Sequence, residues 1–202
     1  NRLHKILHKN LRIPPWVVRP FYSALNIAVS PTQYCLRKRL AREIVSTKPL
    51  ITISDRDGYR LFGPDDIEGT DCIVRYCGSV YQKSREAFPP EYFQKHPHKK
   101  FLFPILEGAE FCRHPELLRR MVSRPILDAV AVYLGTVPKL TGARLCWSPE
   151  NETARSSQLF HFDYEDRRQI KVFINIFETN EEQGPLTFLP ADISAQVQRS
   201  IG

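Results

Sequence analysis

The feature that most constrains this chain is a change in the period of its apolar residues near Ala143. Before it, apolar positions recur at helical spacing: Leu36, Leu40 and Ile44; Ile73, Cys77, Val80 and Tyr81; Ile126, Leu127, Val130, Ala131 and Leu134. Such a stripe buries one face of a helix. After it, alternation of period two runs to Pro190, and successive side chains of a strand point to opposite faces of a sheet. A mainly helical part, residues 1–142, is therefore followed by a β-rich part, residues 143–202. The expected class is α+β. At 202 residues the length suits a single domain with a real core.

Punctuation places the elements. Ser30-Pro31-Thr32-Gln33 is a capping box with proline at the first helical position, predicting a helix to about Thr47. Residues 50–53 and 59–62 read as two short strands around the turn dipeptide Asp57-Gly58. Thr70 caps a further helix that Pro89-Pro90 ends. Residues 91–111 show no clear period. Pro115–Met121 and residues 123–134 read as two helices, with His114 at the start of the first and Gly135 stopping the second. Residues 1–29, basic and then apolar, are broken by Pro14-Pro15 and Pro20 and read as an arm packed across the domain.

The formal net charge is +7. Basic residues gather at Arg37-Lys38-Arg39 with Arg42, at residues 95–100, and at Arg167-Arg168. Aromatic residues do not interleave with them in a nucleic-acid pattern, so no nucleic-acid partner is expected. The clusters read as solvated faces, or as an attraction to an acidic partner such as a phosphate-bearing substrate. Five cysteines at irregular spacing, with no CxxC, point to reduced thiols inside the cell, with the cytoplasm as the expected location. No signal peptide and no run of transmembrane length is present in these residues. His96-Pro97-His98 reads as a lysine-rich loop, because no acidic or Cys partner flanks the two imidazoles.

Chemistry concentrates in residues 157–190. On an alternating strand Leu159, His161 and Asp163 share a face, so an imidazole and a carboxylate point the same way. That pair can grip one metal ion from two sides, and a 2-His-1-carboxylate site adds a second His. The other reading of His161 is structural, bonded to Asp163 or to a backbone group. Alternation resumes with Lys171, Phe173, Asn175 and Phe177 on one face and Val172, Ile174 and Ile176 on the other. Lys171 would either snorkel outward or bring charge to a site, and the two phenylalanines read as core. Residues 180–184 form a turn with Gly184 at positive φ, and residues 185–190 read as another strand.

This order of H-x-D, strand, acidic turn, G-P, strand and L-P closely resembles the phytanoyl-CoA dioxygenase family of Fe(II)/2-oxoglutarate oxygenases. The likeness is strongest over residues 157–194 and reaches back weakly to Tyr133-Leu134-Gly135 and Leu145-Cys146-Trp147. It implies a double-stranded β-helix, a jelly roll of eight strands with helices on one sheet, incomplete in this chain. It implies His161 and Asp163 as ligands of Fe(II), with 2-oxoglutarate as cosubstrate and O2 as oxidant. The reaction would be hydroxylation of a small organic substrate, possibly acidic, that the residues do not identify. Asn175 and Lys171 are the candidates to meet a 2-oxoglutarate carboxylate, if their face looks into the roll. The family also uses a second His on a late strand and an Arg that pairs with the cosubstrate. No His follows Asp163, so both groups are expected beyond Gly202 and the 202 residues alone are expected to be inactive. Where many members carry Gly-Ser-His after Leu-Pro, this chain has Ala191-Asp192-Ile193-Ser194, a departure that suits a subgroup with its own substrate. Two other classes stand beside this one: a catalytically inactive jelly-roll binding module, and a basic nucleic-acid or membrane-surface protein.

Overall fold

The computed structural model describes residues 24–25, 27–63, 65–87, 101–150, 158–161, 163 and 168–201. The expected arm through residue 23, Pro89-Pro90, the basic cluster at 95–100 with His96 and His98, and Arg167 lie outside the described residues.

Proline stands in the first turn of three helices, first in two of them (Pro31, Pro115) and second in one (Pro125), because its fixed φ suits that place and its missing N–H is not needed there. Helix α1 spans Pro31–Ile44. The expected capping box does not form: the Ser30 side chain makes no cap bond, and only its carbonyl accepts, from Tyr34 N at 3.0 Å. The helix also stops short of Thr47. Ser46 is drawn away instead, its hydroxyl donating to Asp128 Oδ2 at 2.5 Å and its N–H to the same oxygen at 3.4 Å. Its buried side is Ala41, while Leu36 of the expected stripe stays exposed. Helix α2, Thr70–Ala87, carries Asp71 in its first turn and Arg85 in its last, each complementing the helix dipole. Ile73 and Cys77 are its buried positions, as their spacing predicts.

The unreadable stretch before His114 holds strand β1, Phe103–Glu107, and a 3-10 turn, Gly108–Arg113. Helix α3 is Pro115–Met121 and helix α4 is Arg124–Leu134, with His114 and Ser123 before them and Gly135 ending α4 in the left-handed region. Strand β2, Arg144–Trp147, returns antiparallel to β1, with Phe103 opposite Trp147 and Glu107 opposite Arg144. Arg144 Nε lies 2.8 Å from Glu107 Oε1 across the pair. The register shifts between Pro104 and Leu106. Proline cannot donate to a ladder, and a bulge beside it takes up the irregularity. The architecture is thus α+β, a helical layer with a two-stranded sheet among the described residues.

Other expected strands are not found there. Residues 55–57 form a turn closed by Gly58 N to Ser54 O at 2.7 Å. The Ser54 hydroxyl accepts from Arg56 N at 3.1 Å and Asp57 N at 3.4 Å, so these amides are taken locally and 50–53 and 59–62 make no hairpin. Of the strand expected over 157–163, the described residues 158–161 and 163 are not in a ladder, and neither are 171–177 and 185–190. Period two survives in part without the ladder: Ile174 and Ile176 pack toward the core, while Lys171, Phe173, Asn175 and Phe177 are exposed, the two rings included, and Val172 of the expected inward face is exposed as well. The expected turn forms as a 3-10 turn, Glu181–Gln183. Asn180 Oδ1 accepts from Glu182 N at 3.1 Å, and Gly184 sits at φ 65°. A last helix, α5, spans Ala191–Ile201. It is seated on the 54–58 turn by Ala191 N to Asp57 O at 2.8 Å and Asp192 N to Arg56 O at 3.0 Å. Gly58, at φ 75°, permits this approach: a Cβ there would lie 2.7 Å from that of Ala191.

The core lies between α2, α3 and the strand pair. Phe111 is 1% exposed and clusters with Ile73, Cys77, Leu117 and Leu145. Aromatic rings extend it toward the C-terminal segment, with Tyr81 edge-on to both Trp147 at 6.0 Å and Phe177 at 5.2 Å. At the other end Asp128 is 3% exposed and receives Ser46 and Arg124 Nε, the latter at 2.8 Å. The Ser46 hydrogen bonds, joined by the Arg124 charge, hold its carboxyl below the usual carboxylate range.

Phe111→Ala is expected to cost about 3–5 kcal/mol in urea unfolding, while Phe173→Ala at the exposed face changes stability by about 0.5 kcal/mol or less. Because the folded form holds the Asp128 proton more weakly than the unfolded chain, its contribution is present above the usual carboxylate range and is lost as pH falls below it. The melting-temperature gap between the protein and Asp128→Asn should therefore be widest near neutrality and close below about pH 4. A gap independent of pH would contradict this account of the carboxylate.

Candidate metal centre

Residue 158 lies in a 3-10 turn and Leu159 in a bend, and the Leu159 carbonyl decides how His161 is held. Its Nδ1 lies 2.8 Å from the carbonyl of Leu159. A carbonyl only accepts, so Nδ1 carries the hydrogen. In the neutral ring Nε2 then has the lone pair. Nε2 lies 3.9 Å from Asp163 Oδ1, and the two side chains are 47% and 32% exposed. The imidazole and the carboxylate do come near each other, although neither residue lies in a strand ladder. Of the two structural partners foreseen for His161, the backbone group is bonded, while Asp163 lies beyond hydrogen-bond reach and the ring is exposed, not in the core.

Lys171 joins the pair. Its ammonium donates to Asp163 Oδ2 at 2.5 Å. Asp163 thus has an imidazole beside one oxygen and an ammonium on the other. Exposure limits what such pairs contribute to stability. Asn175 is exposed on the outward side of residues 171–177, and no hydrogen bond joins it to the other three. The structure therefore brings His161, Asp163 and Lys171 together and leaves Asn175 along the same face. Two features escaped the sequence reading. The Leu159 carbonyl has no side-chain signal at all. The Asp163–Lys171 pair spans a polar loop, and opposite charge was its only trace.

Among the described residues, no group of three or more His, Cys, Asp and Glu gathers to hold a metal ion. His161 and Asp163 are two donors, and a facial site takes three. The cysteines are free thiols, and burial pushes the Cys77 thiol up, as suits a core residue.

The basic clusters are partly structural. Arg37 Nε donates to Val137 O at 2.9 Å. Arg168 reaches Tyr133 O at 2.6 Å, lies over the Tyr133 ring at 5.0 Å and pairs with Asp55 at 3.1 Å. Among the described residues, no helix is long and apolar enough to cross a membrane. Comparison with protein-family models, with curated proteins and with solved structures finds no match to this chain.

Proposed function

We propose that His161 and Asp163 are metal ligands of a non-haem Fe(II)- and 2-oxoglutarate-dependent dioxygenase that hydroxylates a small organic substrate. One observation carries this reading: His161 donates Nδ1–H to a backbone carbonyl and turns Nε2 toward the Asp163 carboxylate on an open face. Metal-binding histidines are oriented in this way, the second nitrogen being tied to a carbonyl or carboxylate. The donor chemistry, one imidazole and one carboxylate, suits Fe(II). The third donor and the cation that anchors the cosubstrate are assigned to positions outside the described residues. Segments 171–177 and 185–190 are read as strands of an incomplete jelly roll, which the inward Ile174 and Ile176 of the first support.

Bound Fe(II) would supply activation of O2, coupled to decarboxylation of 2-oxoglutarate. The chain's own residues set the stage for it. The Leu159 carbonyl fixes the His161 tautomer. Lys171 holds one oxygen of Asp163 and brings positive charge to the face where the cosubstrate carboxylate would lie. Asn175, further along that face, is the neutral donor assigned to that carboxylate. The incomplete donor set among the described residues favours a second reading, a catalytically inactive binding module.

Removing Lys171 separates its two roles. Lys171→Met should tighten Fe(II) binding severalfold, because an ammonium no longer competes for Asp163, and should weaken 2-oxoglutarate binding. Asn175→Ala should raise the 2-oxoglutarate requirement with little change in Fe(II) affinity, one hydrogen bond being worth about 1–3 kcal/mol. Anaerobic metal titration followed by cosubstrate titration reads both.

The reaction itself is tested by succinate formation with Fe(II), ascorbate and O2. The 202 residues alone should bind Fe(II) weakly and form no succinate. A chain carrying a further His-bearing strand should do both, and His161→Ala or Asp163→Ala in it should abolish both. Turnover that survives both substitutions would remove the oxygenase reading. Metal binding without turnover in the longer chain would favour the binding module.

A further inference from the structure

Four arginines surround α3, and they are not alike. Arg119 is held by Glu116 at 2.6 Å and Arg124 by Asp128 at 2.8 Å. Arg113 and Arg120 have no carboxylate partner among the described residues, and both line a cavity of about 390 Å³ between α2 and α3. That volume lies within the range of small-molecule sites. Two guanidinium groups on one concave surface raise the local positive potential and favour an anion there.

The rest of the lining suits an anion. Glu116 faces the cavity, but its charge is offset by Arg119. Asp71, next to the lining residue Cys72, is offset by Arg75 at 2.7 Å. The Tyr76 hydroxyl is hydrogen-bonded to the His114 ring, 2.7 and 2.8 Å from its two nitrogens, and both residues line the cavity. The floor is apolar, formed in part by Leu117, which is 6% exposed. Arg120 is positioned by the backbone: its guanidinium packs against Gly69, at φ 83°, where a Cβ would overlap it.

We propose that this cavity binds the phosphate group of a small organic phosphate. Planar guanidinium forks match phosphate oxygens two at a time, and Arg is favoured wherever that geometry matters. The Tyr76–His114 pair, which uses one of its two hydrogens internally, leaves one donor for the anion, and the apolar lining takes the organic part. The site shares no residue with His161 and Asp163 and does not depend on the oxygenase reading.

Phenyl phosphate, inorganic phosphate and benzoate serve as probes, titrated calorimetrically at constant ionic strength. Phenyl phosphate should bind most tightly, inorganic phosphate more weakly and benzoate weakest. Arg113→Gln and Arg120→Gln should each weaken phenyl phosphate about tenfold, the loss of a charge-assisted hydrogen bond. Arg120→Lys should recover part of that affinity. Arg85→Gln removes the same charge at the other end of α2 and should change nothing. Bound phenyl phosphate should also slow iodoacetamide labelling of Cys72, read by peptide mass, without slowing the exposed Cys35 and Cys112. Benzoate binding as tightly as phenyl phosphate would overturn the phosphate assignment. Equal loss in Arg85→Gln, or unprotected Cys72 at saturation, would overturn the site.

Discussion

Burial of Phe111 against the apolar side of α2 is the contact on which the described structure depends. Its ring is 1% exposed and gathers Ile73 and Cys77 of α2, Leu117 of α3 and Leu145 of β2. Those residues come from three separate stretches, and Phe111 from a fourth, so one side chain ties the helices to the strand pair. Fully burying a Phe stabilises by about 1.5–3 kcal/mol relative to exposure, before any cavity term. The extended segment that follows Asp163 is fastened to the same core by Ile174 and Ile176, and to Tyr81 by Phe177. The candidate metal pair is therefore held at the end of a segment whose inward side is anchored and whose outward side is open.

Polar contacts act at the edges of this core. Asp128 draws Ser46 out of the helical path and so ends α1, while Arg124 offsets its charge. The 54–58 turn receives the first residues of α5 through two backbone bonds and the Arg56–Asp192 pair. Arg168 bridges Tyr133 to Asp55. A net positive chain thus spends part of its arginine on internal fastening, and only the remainder is open to an anion. This weakens the case for a broad basic surface and sharpens that for a local site, because the unpaired Arg113 and Arg120 meet at one cavity.

Much of the helical half was legible because its signals are local. The spacing of Ile73 and Cys77, His114 before Pro115, and Gly135 after Leu134 each act within one or two turns of chain. Strand β1 was not legible. Pro104 interrupts its alternation, and its partner lies across two helices at Arg144–Trp147. The reverse error fell on residues 50–53 and 59–62. Their composition suits strands, but the Ser54 hydroxyl satisfies the turn amides locally and no neighbouring edge is supplied. Alternation over 171–177 holds for Ile174 and Ile176, but Val172 of the same expected face is exposed, the two phenylalanines expected in the core are exposed, and no ladder forms.

By itself, the sequence determined the α+β class and the places of α2, α3 and α4, and it singled out His161 and Asp163 as a candidate pair. Helix periodicity, capping and side-chain chemistry are written within a few residues of where they act. Only the tertiary structure decided that the imidazole is turned by the Leu159 carbonyl, that Lys171 lies on Asp163, and that Asn175 stands apart. It also decided which arginines are paired and which two face a cavity. These are relations between groups brought together by chain folding. Their energies depend on distance and exposure, which no local pattern of residues encodes.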